Sequence, residues 1–174
     1  LHHTDNPYRE SPPDIQVLHC IQNEAEGGRS SLCNMVSLVE HLKNTDPKTL
    51  QILCETPVIF KYDTLDCHLQ HQGTIIELDR NGNLAMCRVS SRVEYVLGND
   101  DIEEYYIARR KLHELIESGI FCINFQLQPG QLVMFDNRIL LHARTSFRGK
   151  RFLKGLYLTR ESVDSWYHLN IEKQ

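Results

Sequence analysis

The stretch FCINFQLQPGQLVMFDNRILLHARTSFRGKRFLKGLYLT, residues 121–159, decides the fold. Large apolar side chains alternate with polar or small ones over residues 121–128, which is the pattern of a half-buried strand. Turn sequences follow at Pro129-Gly130, Asp136-Asn137 and Arg148-Gly149-Lys150, and they separate three further short strands. Short strands with turns at this spacing predict an antiparallel sandwich or jelly roll.

The upstream sequence predicts one more strand and two helices that flank the sheets. Residues 15–21 carry apolar side chains on both faces and are typical of a strand, and residues 57–62 look extended. Apolar residues recur at helical spacing from Met35, with Asn34 as N-cap, and again over residues 101–118, where Gly119 ends the helix. Residues 63–83 are polar and contain turn signals, so we expect mobile loops there. The expected fold class is mainly β with flanking helices (α+β).

Composition and charge limit the partners. The chain has 174 residues, of which 41% are hydrophobic and 24% charged, and its formal net charge is −4. This charge argues against nucleic acid or an anionic membrane as the main partner, and no apolar run is long enough to span a bilayer. The six cysteines include no C-x-x-C pair, so we expect free thiols in a reducing compartment. The chain starts at Leu1 with no initiator Met, and we expect a single domain that lacks its N-terminal part.

Two residues near the start could bind a metal. Side chains at i and i+2 of an extended segment point to one face, so His3 and Asp5 can converge while Thr4 points away. An imidazole and a carboxylate are two members of the two-His-one-carboxylate triad that holds Fe(II) and leaves three positions open. Alone, the H-x-D pattern is weak evidence, because polar residues near a terminus are usually solvated.

The third ligand and a partner for an anion are expected in the last third of the chain. His142 lies in the middle of a predicted strand, where the alternative is a core histidine bonded to a carbonyl. Arg151 opens the next strand and shares one face of it with Tyr157, and the alternative is a surface arginine. A guanidinium on an inner face needs an anion, and its planar fork suits a carboxylate. The combination of His3, Asp5, His142 and Arg151 matches an oxygenase that uses Fe(II), O2 and 2-oxoglutarate. In such an enzyme Arg151 would bind the far carboxylate of 2-oxoglutarate.

Two longer stretches resemble a known family. They are HTDNPYRESPPDIQVLHCIQNEAEGGRSS at the start of the chain and LQPGQLVMFDNRILLHARTSFRGKRFLKGLYLTRESV near its end. Both resemble the γ-butyrobetaine dioxygenase and trimethyllysine dioxygenase branch of the taurine-dioxygenase-like (TauD/TfdA) superfamily, which also contains aminoalkylphosphonate hydroxylases. The resemblance implies a double-stranded β-helix, the jelly roll of clavaminate synthase-like proteins. It also implies Fe(II), 2-oxoglutarate and O2 as cofactors and hydroxylation of a C–H bond in a small zwitterion.

The resemblance also implies roles for individual residues. His3, Asp5 and His142 would be the catalytic metal ligands, and Arg151 would bind 2-oxoglutarate with help from Ser30 of the GG-x-S motif. Tyr157 matches an aromatic residue that surrounds a trimethylammonium group in γ-butyrobetaine dioxygenase. Three more residues are candidates from position or residue type: Tyr8 and Arg9 on the substrate side, and Trp166 as a cover for the mouth of the site.

Departures from the family pattern leave the substrate open. The family's D-N-W-R run reads Asp136-Asn137-Arg138-Ile139 here, an asparagine pair in the middle region is replaced by Ser90-Ser91, and Asn34 stands for an aspartate. The alternatives are an aminoalkylphosphonate hydroxylase and a catalytically silent or truncated jelly-roll binding module. The sequence leaves open whether the chain forms a homodimer. The expected compartment is the cytoplasm, with the mitochondrion as an option in a eukaryote.

Overall fold

The computed structural model describes residues 1–90, 94–96 and 102–172. The strands are β1 (Ile15–Asn23), β2 (Glu26–Gly27), β3 (Ser30–Asn34), β4 (Val58–Asp63), β5 (His68–Gly73), β6 (Ile76–Leu78), β7 (Leu84–Cys87), β8 (Glu94–Val96), β9 (Cys122–Phe125), β10 (Leu132–Asp136), β11 (Leu140–Arg144), β12 (Phe147–Arg148) and β13 (Arg151–Leu158). The helices are α1 (Met35–Thr45), α2 (Pro47–Glu55), α3 (Ile102–Glu117) and α4 (Arg160–Asn170).

Two antiparallel sheets form the jelly roll. One has the order β10-β1-β13 and the other β11-β3-β9, so strands distant in sequence lie side by side. Residue 3 adds to the second sheet through a β-bridge to residue 142. The short pair β2-β12 connects the segments that lead into β3 and β13. Because strands of both sheets line one cavity, that cavity lies between the sheets.

The main apolar core lies beside the second sheet, where α1, α2 and α3 pack. Each helix contributes a fully buried stripe, including Leu38, Leu53 and Leu112. These side chains join Phe60 of β4 and Leu141 of β11 in one cluster. Leu141 is the neighbour of His142, so the core fixes the strand that carries the candidate ligand.

The sequence predicted most elements in the last third correctly and several elsewhere incorrectly. Residues 63–83, expected to be loops, contain β5 and β6, because β5 pairs along its whole length with β4. The glycine-containing sequence of residues 26–30 predicts a turn, but it contains the two-residue strand β2, and both Gly27 in that strand and Gly28 after it have left-handed φ values. Helices α2 and α4 were not predicted. Helix α2 has only nine residues, too few turns for the buried positions Leu50 and Leu53 to show a clear helical period, and α4 buries no residue.

Other expectations are confirmed. Asn34 caps α1 by accepting hydrogen bonds from the main-chain N–H groups of Val36 and Ser37. Gly119 follows α3 with a φ of 74°. All six cysteines are free thiols. Among the residues described, no helix has the length and apolar character needed to cross a membrane.

Candidate metal centre

Main-chain pairing brings His3 and His142 together. The His3 N–H donates to the His142 carbonyl at 3.1 Å, and the His142 N–H donates to the His3 carbonyl at 2.9 Å. Residues that face each other in an antiparallel pair hold their side chains close. The two imidazole ring centroids are accordingly 4.3 Å apart.

Thr4 and Asn137 fix Asp5 beside this pair. Thr4 is buried, and its N–H donates to the Val89 carbonyl at 2.9 Å, so its side chain points away from its neighbours on either side as the alternation predicted. The fully buried amide of Asn137 accepts from the Asp5 N–H at 2.8 Å and donates to the Asp5 carbonyl at 3.2 Å. It also donates to the Pro13 carbonyl at 3.0 Å. Asn137 therefore clamps the Asp5 main chain from both sides.

The three expected ligand side chains converge on one point. Asp5 Oδ1 lies 3.4 Å from His3 Nε2, and Asp5 Oδ2 lies 3.6 Å from His142 Nε2. One donor atom from each residue lies within 4.8 Å of the others. His3 Nδ1 can donate to the Leu1 carbonyl at 3.1 Å, which orients the ring so that Nε2 faces Asp5 as the atom placed to coordinate. Two imidazole nitrogens and a carboxylate oxygen at this spacing fit one divalent first-row metal ion.

The charge states of these groups suit a cation. Burial favours a raised pKa for Asp5, but hydrogen bonds from His3 and Tyr157 hold its pKa at about 2. Burial and the nearby His3 lower the pKa of His142 to about 4. The hydrogen bond to Asp5 raises the pKa of His3. At neutral pH the cluster therefore offers an ionised carboxylate and a neutral His142, the forms that bind metal.

Two further side chains orient the Asp5 carboxylate. Gln16 Nε2 and the Tyr157 hydroxyl both donate to Asp5 Oδ2, at 2.8 and 2.7 Å. The residues face each other on β1 and β13, so the sheet presents both donors at one place. Hydrogen bonds of this kind fix the orientation of a ligating carboxylate. The Tyr157 hydroxyl thus lies at the cluster itself, and the substrate contact expected for Tyr157 stays a prediction.

A cavity of about 270 Å³ opens between the two sheets beside the cluster. It brings together His3, His142, Ser30 and Arg151, all of which the sequence singled out. Its remaining walls are mostly apolar. They comprise Leu18, Ser31, Phe125, Val133, Phe135, Ala143, Arg144 and Leu153.

Two arginines, Arg144 and Arg151, line this first cavity. Arg151 Nε is buried and has no hydrogen-bond partner within the described part of the chain. The Phe147 ring lies between Arg151 and Arg144, with its centroid 5.7 and 4.4 Å from their guanidinium carbons. Burial and the nearby Arg144 lower the pKa of Arg151. An orphaned donor and a second positive charge fit an anionic ligand such as a dicarboxylate.

Gly28 explains why the GG-x-S motif needs glycine. Its φ is 66°, and a Cβ there would lie 3.2 Å from Arg151 Cδ and 3.3 Å from Arg151 Nε. We predict that Gly28→Ala raises the KM for 2-oxoglutarate by displacing Arg151. The variant also loses about 1–2 kcal/mol of stability from left-handed strain.

Gly82→Ala is the matched control for this prediction. Gly82 has a φ of 79° and nothing within 4 Å of its Cβ position, so the variant carries the strain without the contact. Thermal melts should show similar losses for both variants, and only Gly28→Ala should change the KM. Equal KM values in both variants would contradict the prediction.

A second cavity of about 340 Å³ is lined by His3 and Asp5. Its lining is mostly polar and includes Tyr8, Ser90 and Tyr62. The rings of Tyr8 and Tyr62 stack with centroids 4.7 Å apart. Tyr62 was missed at the sequence level because it ends an ordinary strand, whereas Tyr8 was a candidate by its position after the H-x-D motif.

Two sequence candidates line neither cavity, and a third position is not described. The Arg9 side chain is exposed, and Arg9 is not among the residues that line the two cavities. Trp166 is 60% exposed on α4 and likewise lines neither cavity. Ser91 is outside the described residues. The roles expected for these residues stay predictions.

Comparison with known proteins identifies the family. Residues 1–157 match the model of the family described as "Taurine catabolism dioxygenase TauD, TfdA family". The chain belongs to this family. The resemblance inferred from the two end stretches is thereby confirmed.

Individual TauD/TfdA relatives agree with this assignment. A γ-butyrobetaine dioxygenase from Pseudomonas sp. (strain AK-1) is 35% identical over 168 residues, which cover 92% of this chain and 43% of the relative. A trimethyllysine dioxygenase from Meyerozyma guilliermondii is 29% identical over 180 residues, covering 99% of this chain and 45% of the relative. The chain therefore spans less than half the length of these curated relatives.

A solved structure confirms the jelly roll. A taurine dioxygenase from Burkholderia xenovorans superposes with a TM-score of 0.71 at 17% sequence identity, covering 90% of this chain and 57% of that one. Identity this low supports the fold alone.

Proposed function

We propose that the chain is the catalytic part of an Fe(II)- and 2-oxoglutarate-dependent dioxygenase. One observation carries the proposal: the donor atoms of His3, Asp5 and His142 cluster together, and His3 lines two separate cavities, one with His142 and the other with Asp5. A three-residue metal site leaves coordination positions open, and each cavity can hold a ligand beside them. The named γ-butyrobetaine and trimethyllysine dioxygenases among its relatives support the same activity.

The first cavity suits the cosubstrate. Arg151 supplies an unpartnered buried donor for the far carboxylate, and Arg144 adds a second positive charge. Ser30 is buried in the same wall and can donate its hydroxyl to that carboxylate. The apolar walls exclude water from the remainder of the ligand. The cavity thus fits a small dicarboxylate such as 2-oxoglutarate.

The reaction divides between the metal and the chain. When bound, iron supplies the oxygen chemistry by which substrate C–H, O2 and 2-oxoglutarate give the alcohol, succinate and CO2. Asp5 and His142 hold their ligating forms at neutral pH because of the pKa values described above. Gln16 and Tyr157 keep the carboxylate in one orientation. Asn137 keeps the main chain of Asp5 in place.

The second cavity suits the substrate that is hydroxylated. The stacked rings of Tyr8 and Tyr62 can attract a quaternary ammonium through cation–π interaction. The carboxylate of Asp5 adds negative charge to the same wall. These features favour a small zwitterion with a trimethylammonium end, like γ-butyrobetaine or trimethyllysine. The proposed location is the cytoplasm or, in a eukaryote, the mitochondrion, and a relative from Bos taurus that is named a mitochondrial trimethyllysine dioxygenase supports the second.

A turnover assay tests the proposal. The chain is loaded with Fe(II) without oxygen, and succinate is measured after addition of O2, 2-oxoglutarate and one candidate substrate. We expect iron-dependent succinate release that increases with γ-butyrobetaine or trimethyllysine. Stimulation by aminoethylphosphonate alone would favour the phosphonate hydroxylases. No succinate above the metal-free control would show that the chain is a silent binding module or needs a further segment.

A further inference from the structure

Arg88 is a buried charge outside the metal cluster. Its side chain is 2% exposed and is among the largest fully buried side chains of the described residues. It directly follows β7, in an apolar run, and it lines neither of the two cavities. A buried guanidinium is costly unless its donors are satisfied in good geometry. The structure shows what satisfies them.

Its donors bind one short loop. Nη1 donates to the carbonyls of Pro7 at 2.8 Å and Arg9 at 2.7 Å, and Nη2 donates to the Glu10 carbonyl at 3.0 Å. Nε lies 3.3 Å from Glu77 Oε1. Three of the four contacts thus go to main-chain atoms of the 7–10 loop, which begins two residues after Asp5. Arg88 fastens this loop to the body of the protein.

The loop needs such support. It starts from Asn6, whose φ of 56° lies in the left-handed region that a side chain disfavours. The Arg9 N–H donates to the Asn6 carbonyl at 3.1 Å, and the Tyr8 hydroxyl donates to Asn6 Oδ1 at 2.7 Å. A strained turn persists only where contacts with the surrounding structure hold it in place. The hydrogen bonds from Arg88 are such contacts.

The loop shapes the second cavity. Its carbonyls at residues 7, 9 and 10 bind Arg88, while the Tyr8 ring lines the cavity and stacks on Tyr62. The position of Tyr8 therefore depends on how the loop is held.

We propose that Arg88 is a positioning residue for the substrate: it holds the 7–10 loop so that Tyr8 stays against Tyr62 in the cavity wall. This rests on the proposed function, in which the second cavity takes the substrate. Arg88 contacts no side chain of the metal cluster and does not line the first cavity, so its loss is expected to affect substrate binding more than the binding of metal or 2-oxoglutarate.

Arg88→Lys tests the proposal. A lysine keeps a positive charge but cannot reproduce the rigid fork that reaches three carbonyls. With γ-butyrobetaine as the probe, we expect its KM to rise by at least about tenfold, the factor carried by one lost charge-assisted hydrogen bond. The KM for 2-oxoglutarate and the affinity for Mn(II) should stay unchanged. Arg80→Lys, at an exposed arginine, is the matched control and should change none of them.

Limited trypsin digestion gives a readout that needs no turnover. Cleavage after Arg9 attacks the carbonyl that accepts a hydrogen bond from Arg88. In Arg88→Lys we expect faster cleavage there, measured against cleavage after the exposed Arg80. An unchanged rate would overturn the proposal. If the wild-type chain releases no succinate, the proposed function fails, and this digestion still decides whether Arg88 holds the loop.

Tyr8→Leu provides a second variant that leaves Arg88 in place. Because Arg88 acts through Tyr8, this variant should raise the KM for γ-butyrobetaine. The effects of Arg88→Lys and Tyr8→Leu on that KM should not add in the double variant. An unchanged KM in Tyr8→Leu, or an equal rise of both KM values in Arg88→Lys, overturns the positioning role.

Discussion

Replacing His142 by alanine is expected to lower the affinity for Fe(II) by more than about 100-fold. Loss of a residue that only hydrogen-bonds to a metal ligand already lowers metal affinity by about 10–100-fold, so loss of the ligand itself should cost more. His142 offers Nε2 to the cluster from the middle of β11, and its main-chain pairing with His3 does not require the imidazole. The strand pairing should therefore survive while the metal is lost. Calorimetry with Mn(II), in which oxidation is avoided, measures the affinity, and 2-oxoglutarate decarboxylation should fall to the metal-free level.

His113→Ala is the control for this variant. His113 is exposed on α3 and is not part of the cluster, so the substitution removes an imidazole without removing a ligand and should leave metal affinity unchanged. Thermal melting of both variants shows whether the fold is retained. Tight metal binding by a folded His142→Ala protein would rule out the assigned ligand set.

Replacing Arg151 by leucine is expected to give the second large effect, a selective rise in the KM for 2-oxoglutarate. Removing one partner of a buried charge pair typically costs about 2–5 kcal/mol, which corresponds to roughly 30-fold to several thousand-fold in affinity. Arg151 has a buried, unpartnered Nε in the first cavity, so its anionic partner is expected to be the cosubstrate. Steady-state kinetics, with 2-oxoglutarate and the hydroxylated substrate varied separately, measure the KM of each and show whether only the first rises.

Two further variants make this test specific. Arg151→Lys keeps the charge but loses the planar fork, so its KM for 2-oxoglutarate should fall between those of the wild type and Arg151→Leu. Arg110→Leu removes an exposed arginine of α3 and should change neither KM. If Arg151→Leu raises the KM of both substrates equally, Arg151 has a structural role instead.

The site residues that sequence could predict are those with a simple local rule. Alternation along an extended segment puts His3 and Asp5 on one face, and the structure shows that spacing. The strand pattern of residues 132–159 placed His142 and Arg151 on neighbouring elements of a jelly roll, and both line one cavity. The glycine pair before Ser30 predicts a turn, and the structure shows that Gly27 and Gly28 have left-handed φ values.

The residues that sequence missed act across long separations. Asn137 binds Asp5 from 132 positions away, and Arg88 binds Pro7 from 81 positions away. Nothing local distinguishes such an asparagine in a turn from one that faces solvent. A charged residue inside an apolar run, as at Arg88, was the one signal available for burial. Tyr62 carried no signal, because an aromatic residue at a strand end is common.

The sequence alone therefore predicted the fold class and the side chains that could hold a metal, because strand periodicity, turn residues and the H-x-D spacing are local properties of the chain. The family followed from the resemblance of the two end stretches, which is also a property of the sequence. Only the tertiary structure decided that these side chains meet. The two sheets order their strands as β10-β1-β13 and β11-β3-β9, so each ligand and its supports come from segments that chain order keeps apart. Their contacts depend on strand register and on buried hydrogen bonds, both of which are set by packing of the whole domain.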